Sequence, residues 1–297
     1  MELKQIKPSD KKNNPDSRNS HSLVYDKSNE RLILYGGADS EGPLDSIFVY
    51  SLAKEKWEEV PNKMKDLKSR EMHTCHIYYC EEGEDLPTFI KKEAKSSKPT
   101  VSIDQKKLIE VSFESPGIKE SDHIPQIDPL KPIEIMKKDI VFEGVGLEEQ
   151  KLPEFEVVLN EKNIKTQAFM IVIGGRTLDK ISNEILAVDL NKWTCTTLFK
   201  LPHGICSHCS LIVGDELYIY AGTDGAGFLN YLYSYGLKSG VLKRFVVEDE
   251  LKSIGGRIAA NLVEDGEGNL MIFGGSTFEE EKNDVIVIKR KEISFEI

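Results

Sequence analysis

The sequence lacks any apolar run long enough to cross a membrane. Its longest purely apolar run covers residues 168–173, whereas a membrane-spanning helix needs about 20 apolar residues. The first residues, 1–5, also lack the apolar core of a secretory signal peptide. We therefore expect a cytoplasmic protein that does not associate with membranes.

Cysteine and clustered basic charge are also scarce. The chain of 297 residues has five cysteines, and an odd number in a chain that is not short does not suit a disulfide framework, so we expect free thiols. The net charge is −11, and the lysines in the middle of the chain are interspersed with acidic residues. Because nucleic-acid-binding proteins usually carry a basic patch or stripe, we expect no nucleic-acid partner.

Familiar catalytic motifs are missing as well. The sequence has no Gly-x-Ser-x-Gly elbow, no phosphate-binding glycine loop and no His-Glu-x-x-His motif. No two acidic residues stand out as an acid–base couple. We therefore expect that the chain is not an enzyme and needs no cofactor.

What the sequence does contain is a repeated apolar run closed by glycine. The four copies end at Gly36-Gly37, Gly174-Gly175, Ala221-Gly222 and Gly274-Gly275. The last three copies lie roughly 50 residues apart, which is a period typical of propeller repeats. A polar loop and a second apolar strand follow each copy, and two copies continue to a tryptophan, Trp57 and Trp193.

A second motif precedes the glycine strands. The pattern Arg-x-x-His is complete at Arg18 and His21 and at Arg70 and His73, and half of it remains at His208 and at Arg257. Together the two motifs resemble the kelch family, and the absence of a Trp-Asp dipeptide makes a WD40 propeller the poorer match. The resemblance implies an all-β fold, a kelch-type β-propeller of four-stranded antiparallel blades, with the tryptophans between neighbouring blades.

Elementary strand patterns agree with that resemblance. Short apolar strands bounded by turn residues favour antiparallel sheet. The glycine strands are apolar on both faces, which suits strands packed between neighbouring blades rather than strands that face water.

The number of blades depends on the middle of the chain. Gly36 and Gly174 are 138 positions apart, which exceeds two periods of about 50. We predict a degenerate blade there, with residues 72–80 as its innermost strand and the rest between 86 and 111. Residues 115–152 are then an irregular surface insertion.

This interpretation predicts five blades in a single propeller domain, 1–297. The alternatives are four blades with a very long insertion, or six blades if the insertion pairs as a blade. Two terminal segments, 1–6 and 293–297, are candidates for a strand that closes the ring, because an open sheet edge is a liability.

Two short segments have the side chains of a zinc site. They are Cys206-Ser207-His208-Cys209 and His73-Thr74-Cys75-His76, and zinc prefers thiolate and imidazole ligands. However, the repeat already places both histidines at the start of an innermost strand. Cys206 and Cys209 would also point to opposite faces of a strand, so we predict no metal site.

The recurring arginines are candidates for binding a partner. Arg18, Arg70 and Arg257 occupy one equivalent place per blade, at one mouth of the central channel. Kelch relatives use such loops to bind acidic or phosphorylated peptides, and the planar guanidinium suits carboxylates. The alternative is that these arginines brace neighbouring blades through backbone carbonyls.

Residues that follow the glycine pairs complete the candidate site. Arg176, Lys180, Asp39 and Phe278 are expected on the same face as the arginines, and this mixture of charges implies a protein partner. We therefore predict a protein-interaction module or scaffold, monomeric by itself. The alternatives are a constitutive subunit of a larger assembly, held by its edges or its insertion, and a carbohydrate- or metal-dependent enzyme of the kelch type.

Overall fold

Four antiparallel sheets make up the part of the chain that the structure describes. The computed structural model describes residues 13–81, 83, 86–87, 166–245 and 255–289. Three of the sheets have four strands and one has three, and a 3-10 turn spans Lys27–Asn29 between the first two strands. We number the sheets blade 1 to blade 4 along the chain. Within these ranges no helix is long and apolar enough to span a bilayer.

Each blade is a meander of neighbouring strands. Blade 1 contains β1 (Ser22–Asp26), β2 (Arg31–Tyr35), β3 (Ile47–Ser51) and β4 (Lys56–Val60). Blade 2 contains β5 (Thr74–Glu81), β6 (Thr166–Ile173), β7 (Glu184–Asp189) and β8 (Thr194–Lys200). Blade 3 contains β9 (Cys209–Val213), β10 (Glu216–Tyr220), β11 (Leu232–Gly236) and β12 (Leu242–Phe245), and blade 4 contains β13 (Asn261–Glu264), β14 (Leu270–Phe273) and β15 (Val285–Ile288).

Burial within a blade follows the composition of its strands. In β2 the consecutive residues Ile33, Leu34 and Tyr35 are all buried, so both faces of this glycine strand are covered. The fourth strand, β4, carries charged residues and is mostly exposed. The prediction that the glycine strands lie between neighbouring layers is therefore confirmed, because only a strand covered on both sides can be apolar on both sides.

Apolar side chains fill the junctions between consecutive blades. Three buried clusters do this: one joins blades 1 and 2 around Ile33 and Met170, one joins blades 2 and 3 around Ile171 and Leu217, and one joins blades 3 and 4 around Tyr220 and Ile272. This arrangement of antiparallel blades is the β-propeller that the repeat predicts.

Two backbone hydrogen bonds also cross each of these three junctions. The first runs from the second glycine of a blade to the next blade: Gly37 N to Arg70 O (2.9 Å), Gly175 N to Ile205 O (2.8 Å) and Gly222 N to Arg257 O (2.8 Å). The second set links Met72 N to Ser20 O (3.0 Å), Ser207 N to Met72 O (2.9 Å) and Ala259 N to Ser207 O (2.9 Å). The repeat therefore determines the backbone hydrogen bonds between neighbouring blades as well as the strands within each blade.

The second blade differs from the sequence prediction. β5 was expected to belong to a separate, degenerate blade, but it pairs with β6 from Thr74↔Ile173 to Glu81↔Thr166. The described sheets thus match the alternative of four blades with one very long insertion. Because the entropic cost of closing a loop grows slowly with its length, two neighbouring strands tolerate the intervening residues 82–165.

Several predicted segments lie outside the described residues. These are the rest of the degenerate blade between 88 and 111, the insertion 115–152, and the terminal segments 1–6 and 293–297.

The two tryptophans occupy different environments. Trp193 packs against the cluster that joins blades 1 and 2, and the guanidinium of Arg31 from blade 1 lies 5.7 Å from the centre of its ring. Trp57 packs on Tyr50 of its own blade, with ring centres 5.1 Å apart. Trp193 therefore confirms the predicted position between blades, whereas Trp57 contacts an aromatic neighbour within one sheet.

Candidate functional site

Four equivalent loops follow the glycine strands, one in each blade. They cover residues 38–43, 176–181, 223–228 and 276–281, and in each the first and last residues form an isolated antiparallel bridge. We call these four loops together the loop face.

Side-chain caps give the loops their shape. In blade 1 the Asp39 carboxylate accepts hydrogen bonds from the backbone N–H groups of Glu41 (2.8 Å) and Gly42 (3.2 Å). In blade 3 the Asp224 carboxylate does the same for the two residues Ala226 (2.9 Å) and Gly227 (3.0 Å). Such turns are typical of aspartate, and they commit these side chains to the loop itself.

Apolar side chains project from three of the loops. Phe278 is 76% exposed and Leu178 is 73% exposed. The Phe278 ring stacks on Phe228 of the neighbouring blade, with ring centres 3.9 Å apart and an interplanar angle of 9°. The loops therefore meet each other, and the stack holds an exposed aromatic ring in a defined position.

The charge of the loop face is mainly negative. The four loops contain seven acidic residues and two basic ones, Arg176 and Lys180. Arg176 is paired with the buried Glu71, which accepts a hydrogen bond from its Nε at 2.8 Å. The backbone hydrogen bonds of Ala226 and Gly227 lower the pKa of Asp224, so this carboxylate stays ionised at neutral pH.

The recurring arginines point inwards. Arg70 and Arg257 are completely buried, and each donates from Nη1 to the carbonyl of a first glycine, Gly174 (2.9 Å) and Gly274 (3.0 Å) respectively. Arg257 also binds Asp284, with 2.7 Å between its Nη1 and Oδ1, and this hydrogen bond lowers the Asp284 pKa.

Arg18 makes the same contact in a more open setting. Its Nη1 lies 3.0 Å from Gly36 O and 2.8 Å from Ser46 Oγ, and its guanidinium covers the Phe48 ring at 5.3 Å. For all three arginines the geometry favours a brace rather than a partner contact, because a buried carbonyl needs a donor. Each arginine and the glycine carbonyl that it reaches belong to the same blade, so the brace lies within a blade and not, as expected, between neighbouring blades. Direct contact with a partner would require Arg70 and Arg257 to leave these bonds.

Comparison with known proteins agrees with the repeat. The model of the Kelch motif matches residues 28–64, which cover most of blade 1. The chain folds as a β-propeller that contains a kelch motif. It is also similar to Tip elongation aberrant protein 1 of Schizosaccharomyces pombe, with 35% identity over 72 residues, which are 22% of this chain and 6% of that protein.

Two histidines of this kelch propeller form hydrogen bonds between blades. His208 Nε2 lies 2.9 Å from Thr74 Oγ1, and His73 Nε2 lies 3.0 Å from Ser22 Oγ. All five cysteines are free. Among the described residues no group of three or more His, Cys, Asp or Glu side chains is arranged to hold a metal ion.

Burial sets the protonation of these groups. It lowers the pKa of His73 and of His208 to about 3, so both imidazoles are neutral at physiological pH. It raises the pKa of the thiols of Cys75 and Cys209 to about 12, and a protonated thiol is a poor nucleophile and a poor metal ligand.

The structure adds two residues to the site that the sequence predicts. Asp39, Arg176, Lys180 and Phe278 do lie in the loops of the kelch propeller, as expected, but Leu178 and Phe228 were missed. Both are apolar residues within short loops rich in glycine, aspartate or threonine. That contrast with their polar neighbours is the signal that could have identified them.

Proposed function

We propose that the chain is a protein-interaction module that binds a partner protein through the loop face. The observation that carries this proposal is Phe278, which is 76% exposed and yet fixed in place by Phe228. Aromatic side chains presented in a defined position are typical anchors of protein interfaces. Leu178, exposed on the loop of blade 2, is a second anchor of the same kind.

The charges around these anchors indicate the chemistry of the partner. Seven acidic residues accompany the two anchors on the loop face, and Arg176 is already paired with Glu71. Complementary charge promotes association and disfavours partners of like charge. The partner segment therefore combines lysine or arginine with apolar side chains, and polyanions such as nucleic acids are disfavoured.

Family membership supports the same class of function, because kelch-repeat propellers commonly act as protein-interaction modules. The sequence-based expectation that the chain is not an enzyme stays part of the proposal. It is supported by the raised pKa values of the buried thiols of Cys75 and Cys209, which keep both thiols protonated and weakly nucleophilic.

The proposal is tested by capturing partners from lysate of the cells that produce the protein. Replacing both anchors, with Phe278→Glu and Leu178→Glu, is expected to abolish capture of any partner that uses the loop face. Leu52→Glu is the matched control, because Leu52 is also an exposed apolar residue but lies in the turn between β3 and β4. Circular dichroism and thermal unfolding should be unchanged in all variants.

Two further results test whether the loop face is the binding surface. Capture by the wild-type chain should weaken as the salt concentration rises, since exposed charge pairs are screened. If the double variant retains every partner that the wild type captures, the loop face is not the binding surface and the proposal fails.

A further inference from the structure

The junction between blade 4 and blade 1 differs from the other three in its backbone. At every other junction two backbone hydrogen bonds cross from one blade to the next. Here the equivalent pairs would be Gly275 N with Arg18 O and Ser20 N with Ala259 O. Among the described residues neither of these bonds is formed, so this junction is open.

Side-chain burial shows the same difference on blade 4. The residue before the glycine pair is fully buried in the first three blades, as Tyr35, Ile173 and Tyr220, but its equivalent in blade 4, Phe273, is 53% exposed. Its cross-strand partner is buried in the first three blades, as Ile47, Ile185 and Leu232, whereas Val285 in blade 4 is 37% exposed. An apolar pair that is core elsewhere is therefore open to solvent here.

Blade 1 shows the complementary difference. Leu23 stands two positions after His21, and its equivalents after His73 and His208 are Cys75 and Ser210. Cys75 and Ser210 are buried, whereas Leu23 is 50% exposed. His21 is exposed too, although His73 and His208 are buried and bonded to hydroxyl groups of the preceding blade.

Among the described blades, one face of blade 4 and one face of blade 1 thus lack a neighbouring blade. On blade 4 the exposed apolar residues are Val263, Phe273 and Val285, and on blade 1 they are Leu23 and Tyr25. Exposed apolar patches of this sort mark interaction sites. At each closed junction, the earlier blade contributes the face that is open on blade 4, and the later blade contributes the face that is open on blade 1. A second copy of the chain therefore carries a matching surface for each open face.

We propose that two copies of this chain associate head to tail, with the open face of blade 4 in each copy packed against the open face of blade 1 in the other. Two such contacts related by a two-fold axis leave none of the described blades with an open face, as expected of a closed oligomer. This proposed dimer differs from the monomer that the sequence predicts, and sedimentation distinguishes the two. It uses a surface separate from the loop face and does not depend on the proposed function.

The oligomeric state of the purified chain tests the proposal. Sedimentation equilibrium of the wild type at tens of micromolar should give the mass of a dimer. Phe273→Glu and Leu23→Glu should each weaken dimerisation by at least about a hundredfold, because each buries an unpaired carboxylate at an apolar contact. Phe278→Glu is the matched control, since it adds the same charge at an exposed phenylalanine outside both faces, and it should remain dimeric.

A mixing experiment tests the head-to-tail arrangement itself. A mixed dimer of Phe273→Glu and Leu23→Glu keeps one contact in which both faces are unaltered, so the mixture should contain more dimer than either variant alone. A monomeric wild type would overturn the proposal, because the open faces would then be covered in another way. A mixture with no more dimer than its components, or a Phe278→Glu variant that dissociates as readily as Phe273→Glu, would overturn it as well.

Discussion

Acidification should destabilise this propeller through two histidines that the fold keeps neutral. His73 and His208 are buried at the junctions between blades, and burial lowers the pKa of each from 6.5 to about 3. In the unfolded chain both return to the ordinary histidine value. Between these two pKa values the unfolded state binds two protons that the folded state does not, so stability falls as the pH falls below about 6.5.

The size of this effect follows from the two pKa shifts. A single histidine of this kind costs about 1.4 kcal/mol for each pH unit below its unfolded pKa, which amounts to about 2 kcal/mol between pH 7 and pH 5. His73 and His208 together then cost about 4 kcal/mol over this range. A typical domain has a total stability of only about 5–15 kcal/mol, so the loss should be easy to measure.

Urea denaturation at a series of pH values measures the effect. The wild-type free energy of unfolding should fall steeply between pH 7 and pH 5, and His208→Gln should reduce that fall by about 2 kcal/mol. The slope is the readout, because the substitution also changes stability at neutral pH. His21→Gln is the control, since His21 is exposed. A wild-type loss below about 1 kcal/mol, or a slope that His208→Gln leaves unchanged, would refute the assignment.

Two further predictions concern the glycine pair of blade 2, Gly174 and Gly175. Gly175→Ala should cost at least about 2 kcal/mol more than Gly214→Ala, because a Cβ at Gly175 would lie 2.7 Å from His73 Cβ, whereas nothing lies within 4 Å of one at Gly214. Chemical denaturation of the two variants compares these costs, and equal losses would contradict the packing described. Arg70→Met should cost about 1–3 kcal/mol, since it leaves the Gly174 carbonyl without its buried donor. Lys180→Met, at an exposed position, should change stability by less than about 0.5 kcal/mol, and similar melting temperatures for these two variants would argue against the bracing role.

The sequence alone determined the fold class. Apolar strands closed by glycines recur with enough regularity to predict antiparallel blades, because each blade repeats the same local requirements. Glycine is needed where a side chain would clash, as at Gly175 against His73, and apolar residues are needed where both faces of a strand are covered. The same repeat predicts the positions of the loops that follow the glycine strands, and these loops contain Asp39, Arg176, Lys180 and Phe278.

Only the tertiary structure decided which strands pair across the middle of the chain. β5 and β6 are neighbours in space although residues 82–165 separate them in the sequence. A repeat period cannot predict such a pairing, because the connection between the two strands has no fixed length.

Only the tertiary structure decided the role of the arginines as well. A repeated arginine is compatible with a binding surface or a brace, and the choice depends on where the guanidinium lies. In this fold the first glycine of each pair leaves a carbonyl inside the propeller, and the arginine turns inwards to donate to it.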